Sequence, residues 1–491
     1  MKRACLLVIF VAASLGLAQA PPAAKKPLDQ IQILAQLARN VPSPRVAGLV
    51  DEQGINFVPT EDYLTTLKNA GGEDVLLAAL RSAKRTKAEA LSAEVAAKQA
   101  QAEMRLARGA ELRQEKSYPK AEQEFRAAVQ FASENPDLHL ALGYSLEEQK
   151  KWNLAIAECR AAIRLQPKYA AAHNSLAGAL SGKGDLNGAI AEYRTATRLQ
   201  PRLAAAHYNL GNALANKGDW NGAIAEFRAA IRLNPGHVNA HYNLGHTLDK
   251  KGDLGGAIAE YRAAIRLQPD GEAAHLNLGT ALKDKGDIEG AMAEYRTAIQ
   301  LQPDDADAHI NFGVVLDDKG DFDGAIAEYR IAIRLEPNDA DAHKNLGIAL
   351  DNKGDLDSAI AEYRMAARLR PDDASTHILL GFALDDRGDP DGAVAEYRSA
   401  IHLQPGEATA HRHLGIALRK KGDLNGAVAE YRTAIRFQPG NALGHALLGS
   451  ALEKKGHRRA ALGELRTAHR LDPKSPEFAK EYERLLHDLK Q

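Results

Sequence analysis

The feature that most constrains this chain is its period. Prolines stand at 167, 201, 235, 269, 303, 337, 371, 405, 439 and 473, each 34 residues after the last. The text around them recurs nearly verbatim, as a comparison of residues 206–235 with 274–303 shows. A sequence copied at a fixed spacing folds as a stack of like elements, because one copy cannot bury its apolar face alone. Each copy reads as two helices. In 204–237, His207, Leu210, Gly211 and Leu214 recur at i, i+3, i+4 and i+7, the stripe of an amphipathic helix. Gly218 stops that helix, Lys217 suits its negative end, and Asp219 is placed to cap the next one. The second helix carries Ala223, Ile224, Phe227, Ala230 and Ile231 on one face. It ends before Pro235, whose ring disfavours helical backbone in the residue preceding it.

Within a 34-residue frame, Leu244, Gly245, Ala257, Tyr261, Ala264 and Pro269 fall at positions 7, 8, 20, 24, 27 and 32. This pattern resembles the tetratricopeptide repeat family. The resemblance implies an all-α fold, a right-handed superhelical solenoid of helix-turn-helix repeats. Repeats begin at 102, 136, 170, 204, 238, 272, 306, 340, 374, 408 and 442, eleven in all, and span 102–475. The first is degenerate: Gly109, Ala121, Phe125 and Ala128 are kept, but Ser133 replaces the proline. Residues 476–491, with Phe478, Tyr482, Leu485 and Leu486 at helical spacing, are expected to form a C-terminal capping helix.

The text before the repeats differs. Lys2 and Arg3 precede an apolar run from Ala4 to Leu17, followed by small residues, as in a secretory signal peptide. We expect cleavage after Ala18 and export to the periplasm or the outside. The run is too short to span a bilayer, which needs about twenty apolar residues, so no stable membrane insertion is expected after cleavage. Residues 27–85 read as a small helical domain with helix starts at Ser43-Pro44 and Thr60 and a stop at Gly71-Gly72. Its apolar residues include Ile31, Leu34, Leu37, Val46, Leu64, Leu67, Leu76 and Leu80. Residues 86–101 lack glycine and proline and read as a helical connector.

Charge and chemistry narrow the function. With 63 Lys and Arg against 64 Asp and Glu, the formal charge of −1 offers no bulk field for nucleic acid. The two cysteines, Cys5 and Cys159, form no metal-spaced motif. Histidine occupies position 4 of ten repeats, from His139 to His445. Equivalent positions lie a helix pair apart, about 10 Å, whereas zinc holds its ligands at about 2 Å. Packing is therefore the role expected of these rings, in the place where the family usually carries Trp. No Gly-rich phosphate loop, Gly-x-Ser-x-Gly elbow or His-Glu-x-x-His occurs. We expect neither cofactor nor catalysis; an enzyme with its site in residues 27–85 is the rival reading from another class.

Function is then expected on a surface. At 100° per residue, positions 4, 7, 8 and 11 of the first helix face inward, while 2, 6, 9 and 13 form the opposite stripe, which lines the concave groove in the family. Position 6 holds Asn209, Asn243, Asn277, Asn311 and Asn345, with Tyr208 and Tyr242 adjoining two of them. The column resembles the asparagine ladder in the repeats of O-linked N-acetylglucosamine transferase, which implies a hold on extended peptide backbone. A carboxamide both donates and accepts, so it pairs with any peptide group. Charge varies along the stripe. Repeats 306 to 374 contribute Asp307, Asp317, Asp318, Asp341, Asp351, Asp385 and Asp386 against Lys344, whereas repeat 408 contributes Arg412, Arg419 and Lys420. The expected function is a protein-interaction scaffold whose groove holds extended protein or peptide segments. The alternative is a structural part of an envelope assembly, such as a polysaccharide-export machine.

Overall fold

The computed structural model describes residues 28–83 and 93–490, except 40, 54, 56 and 58. The signal segment expected at 1–18 lies outside the described residues, as do residues 86–92 of the expected connector. Among the described residues the regular structure is helical, apart from one isolated parallel bridge between Leu28 and Ile55. The chain divides into two compact bodies, residues 1–247 and 248–491, each an all-α stack of helix pairs.

In the first body, α1 (Gln30–Ala38), α2 (Ser43–Gln53), α3 (Glu61–Asn69) and α4 (Asp74–Ser82) precede the repeats. The pairs follow as α5 (Ala93–Gln114) with α6 (Tyr118–Phe131), α7 (Pro136–Glu148) with α8 (Trp152–Leu165), α9 (Ala170–Lys183) with α10 (Leu186–Leu199), and α11 (Ala204–Asn216) with α12 (Trp220–Leu233). Next comes α13 (Val238–Lys250), whose last residues fall in the second body. The second body continues with α14 (Leu254–Leu267), α15 (Glu272–Asp284), α16 (Ile288–Leu301), α17 (Ala306–Asp318), α18 (Phe322–Leu335), α19 (Ala340–Lys353) and α20 (Leu356–Leu369). It ends with α21 (Ala374–Arg387), α22 (Pro390–Leu403), α23 (Ala408–Lys420), α24 (Leu424–Phe437), α25 (Ala442–Lys454), α26 (Arg458–Leu471) and α27 (Pro476–Asp488).

The helix ends follow from local chemistry. Gly218 takes φ +81°, the left-handed turn that closes α11, and Asp219 then accepts from the Gly222 amide at 2.9 Å to open α12. Lys116 and Lys150 hold the equivalent turn in the first two repeats, at φ 59° and 57°. That conformation costs an L-residue about 1–2 kcal/mol, so these two turns are weaker than the glycine ones. In most repeats the position-8 glycine makes room for the aromatic at 24; repeats 136 and 442 place Cys159 and Leu465 there, and repeat 170 has Ala177 at position 8. A Cβ on Gly211 would lie 2.6 Å from the Phe227 ring, and one on Gly279 2.7 Å from Tyr295. In exchange Tyr261, Tyr295, Tyr329, Tyr363, Tyr397 and Tyr431 are wholly buried.

The position-4 histidines tie these elements together. In nine repeats Nδ1 lies 2.5–2.7 Å from a glutamate of the same repeat's second helix, from His139 with Glu158 to His445 with Glu464. Nε2 lies 2.9–3.2 Å from the carbonyl six residues earlier, that of Ser133 for His139 and of the period-marking proline for the others. Each ring thus bonds its own second helix and the end of the preceding repeat. At the C-terminus α27 packs on α26, buries Leu485, and sets Arg484 on Glu453 with two bonds of 2.8 and 2.6 Å.

Residues before the repeats pack on the first helices. α1 rests on α5 and α7, α3 on α5, and α2 on α4, with Ile33, Leu34, Val46, Leu67, Leu76 and Leu80 buried between them.

Candidate protein-binding face

Successive first helices touch one another, α7 with α9 and α9 with α11 in the first body. In the second body the same holds for α15 with α17, α17 with α19, α21 with α23 and α23 with α25. These first helices carry the stripe of positions 2, 5, 6, 9, 12 and 13.

In the first body this face is an amide network. Asn209 donates to the Oδ1 of Asn174 at 3.1 Å, and Asn243 donates to Asn212 at 2.7 Å and to the Tyr208 hydroxyl at 3.2 Å. The Tyr208 ring lies 4.6 Å from that of His237. Tyr242 is half-buried on the same face. The donors of Asn209 and Asn243 are thus partly engaged by neighbours, and what they offer a ligand is mainly the carbonyl oxygen. Asn277, Asn311 and Asn345 are half-buried on the second body's face, and among the described residues no side-chain hydrogen bond is made by Asn311 or Asn345.

The aspartates of the second body fall into two kinds. Asp341 takes Arg370 in a bidentate pair with both bonds at 2.9 Å, and Lys344 lies 3.2 Å away; these contacts hold its carboxyl below the usual range. Asp385 pairs with Lys420 at 2.8 Å, leaving its Oδ1 buried without a partner. Others have no cation. Burial and the nearby Asp305 and Asp339 push Asp307 up. Burial and Asp318 push Asp317 up, against one bond from Asn352 at 3.3 Å. Burial and Asp386 do the same to Asp351. Burial and the aspartates at position 12 also raise the tyrosines beneath them, Tyr329, Tyr363 and Tyr397. Uncompensated negative charge therefore collects along Asp307, Asp317, Asp318 and Asp351.

Repeat 408 differs. His413 takes position 6 in line with the asparagines, 4.3 Å from the Phe382 ring, and burial and Arg412 push its imidazole down to about 4. Arg412 and Arg419 each keep a buried Nε without a partner. His413 and Phe382 belong to no motif: position 6 already departs from asparagine at Leu379, and position 9 holds no fixed residue, so no sequence signal marks the pair.

The sequence model of the family described as "Tetratricopeptide repeat" matches residues 110–170, 310–374 and 378–442, and that described as "TPR repeat" matches 182–218, 211–252, 248–286 and 279–319. The chain belongs to the tetratricopeptide repeat family. Several solved structures are similar to it. One is titled "YrrB: a TPR protein with an unusual peptide-binding site", with 26% identity, TM-score 0.35, and 38% of this chain and 95% of that one covered. MamA from Desulfovibrio magneticus RS-1 has 22% identity and TM-score 0.33, covering 35% and 96%. A tetratricopeptide repeat protein from Parabacteroides merdae has 16% identity and TM-score 0.41, covering 51% and 98%. No curated protein matches. As a tetratricopeptide repeat protein the chain is a protein–protein interaction scaffold.

Proposed function

We propose that the second body's first-helix face holds an extended segment of a partner protein, with the partner's lysines and arginines against Asp307, Asp317, Asp318 and Asp351. The observation that carries this reading is the group of carboxyls without a cationic partner among the described residues, Asp317 and Asp351 of them half-buried, beside Asn311 and Asn345 with unused amides. Desolvated like charges are destabilising, and a cationic side chain relieves them. Each net hydrogen bond to peptide backbone is worth about 0.5–1.5 kcal/mol, so the contacts suit a weak, reversible hold before ordering costs. Asn209 and Asn243 extend the same chemistry to the first body as carbonyl acceptors. The Lys2-Arg3 start and the apolar run support export, so the proposed setting is the cell envelope, whether as a soluble scaffold or within an envelope assembly.

An array of decapeptides of graded charge, read at 20 and 300 mM salt, tests the proposal. Lys- and Arg-bearing peptides should bind best, lose affinity at high salt, and lose it at low salt to Asp317→Asn/Asp318→Asn/Asp351→Asn. Equal binding of acidic and basic peptides would refute it.

A further inference from the structure

The first-helix face of repeat 136 already has an occupant. Arg39, at the C-terminal end of α1, donates from Nη2 to Asp137 Oδ1 at 2.6 Å and from Nη1 to the Tyr169 hydroxyl, which itself donates to Asp137. Its Cζ lies 5.4 Å from the Tyr169 ring centroid. Arg39 and Asp137 keep only 3% and 9% of their side chains exposed. The seat belongs to the repeats: Asn135 caps α7 through the Asp137 amide at 2.9 Å, and Asp137 is position 2. Position 2 of repeat 340 is Asp341, which seats the guanidinium of Arg370. In repeat 136, residue 31 is Gln166 instead, and the guanidinium arrives from outside the repeats.

The rest of this contact is less complete. Between α1–α2 and repeats 136–204 lies a cavity of about 490 Å³, lined by polar Gln32, Gln36 and Asn174 and equally by apolar Leu28, Leu49 and Leu203. α1 is incompletely packed along this gap, so the buried guanidinium adds to its hold beside the apolar contacts that α1 makes on α5 and α7.

We propose that Asp137 and Tyr169 form a guanidinium-reading seat for partner proteins, held in cis by Arg39. The matching partner segment is one like α1, an amphipathic helix with an arginine at its C-terminal end. Such a segment takes the seat when α1 leaves, and the first two repeats are closed to partners until then. This rests on the reading of the first-helix face as the binding face, but it involves none of the second-body aspartates.

The test uses the full chain and, as probe, a fluorescein-labelled peptide of residues 28–42. Arg39→Ala should bind the probe at least tenfold more tightly than the native chain, because loss of the guanidinium loosens α1 and opens the seat. Adding Asp137→Ala should abolish that gain, and argininamide should compete with the probe at concentrations where lysinamide does not. Loss of folding in residues 28–82 of Arg39→Ala leaves the seat free, so binding is still expected; circular dichroism tracks that loss. No gain in Arg39→Ala, or a gain insensitive to Asp137→Ala, overturns the proposal whatever the peptide array shows. Failure of the array with success here would remove the acidic column and keep the seat.

Discussion

Alanine at Gly279 and alanine at Gly463 should move stability in opposite directions, although both glycines lie inside helices. A Cβ on Gly279 would stand 2.7, 2.8 and 3.1 Å from Cε1, Cδ1 and Cζ of Tyr295. That ring is wholly buried, and its hydroxyl is bonded to Thr280 at 3.1 Å, so it has little room to withdraw. Overpacking of this kind costs about 1–3 kcal/mol. Removing a glycine from a helix interior returns about 0.5–1 kcal/mol, so a net loss of up to about 2.5 kcal/mol is expected. Gly463, in α26, has nothing within 4 Å of its added Cβ. Only the propensity gain operates there, and Gly463→Ala should stabilise by about 0.5–1 kcal/mol. Long repeat arrays do not unfold in two states, so the measurement is hydrogen exchange in peptides from α15–α16 and from α26, beside a urea midpoint. In a Tyr295→Ala background, Gly279→Ala should keep only the propensity gain and stabilise slightly, a coupling of about 1–3 kcal/mol. An undiminished cost in that background, or raised protection from Gly279→Ala alone, would refute the interlock.

Three further outcomes follow from the titrating groups. Burial pushes Glu147 up to about 8, against the bond donated by Ser175 at 2.5 Å. Its contribution is thus fully present below about pH 4.5 and lost as pH rises towards 8; Glu147→Gln should flatten that decline, by roughly 1–3 kcal/mol at pH 8 after solvent screening, in urea titrations across pH. His139 is raised because its bonds to Glu158 and the Ser133 carbonyl outweigh the burial that opposes its charge. The stability it gives is therefore present below about pH 6.5 and lost as pH rises through its folded value, and Glu158→Gln should lower the midpoint seen by NMR titration of that ring. Burial first, and then Glu147, pushes the Cys159 thiol far above its usual range. A thiol reagent at pH 8 should label it only at the rate of unfolding, and rapid labelling of native protein would contradict this.

What the sequence determined is what happens within one period. Gly279 meets Tyr295 sixteen residues on, Asp219 caps its own helix, and proline follows each second helix from α8 onward, so most copies repeat the same local signals. The column of asparagines was legible in the same way, as was the opposition of the aspartates to Arg412, Arg419 and Lys420. How those side chains are spent was not. Asn243 turning to Asn212, and Lys420 crossing to Asp385, depend on rotamers chosen between helices of neighbouring repeats. The period shows which residues are equivalent but not which of them pair. Least legible was Arg39 on Asp137, a contact across 98 positions between a repeated text and an unrepeated one. Asp341 seats Arg370 from its own repeat, but the arginine on Asp137 comes from outside the repeats, and only the docking of α1 on α5 and α7 brings these two charges out of water together.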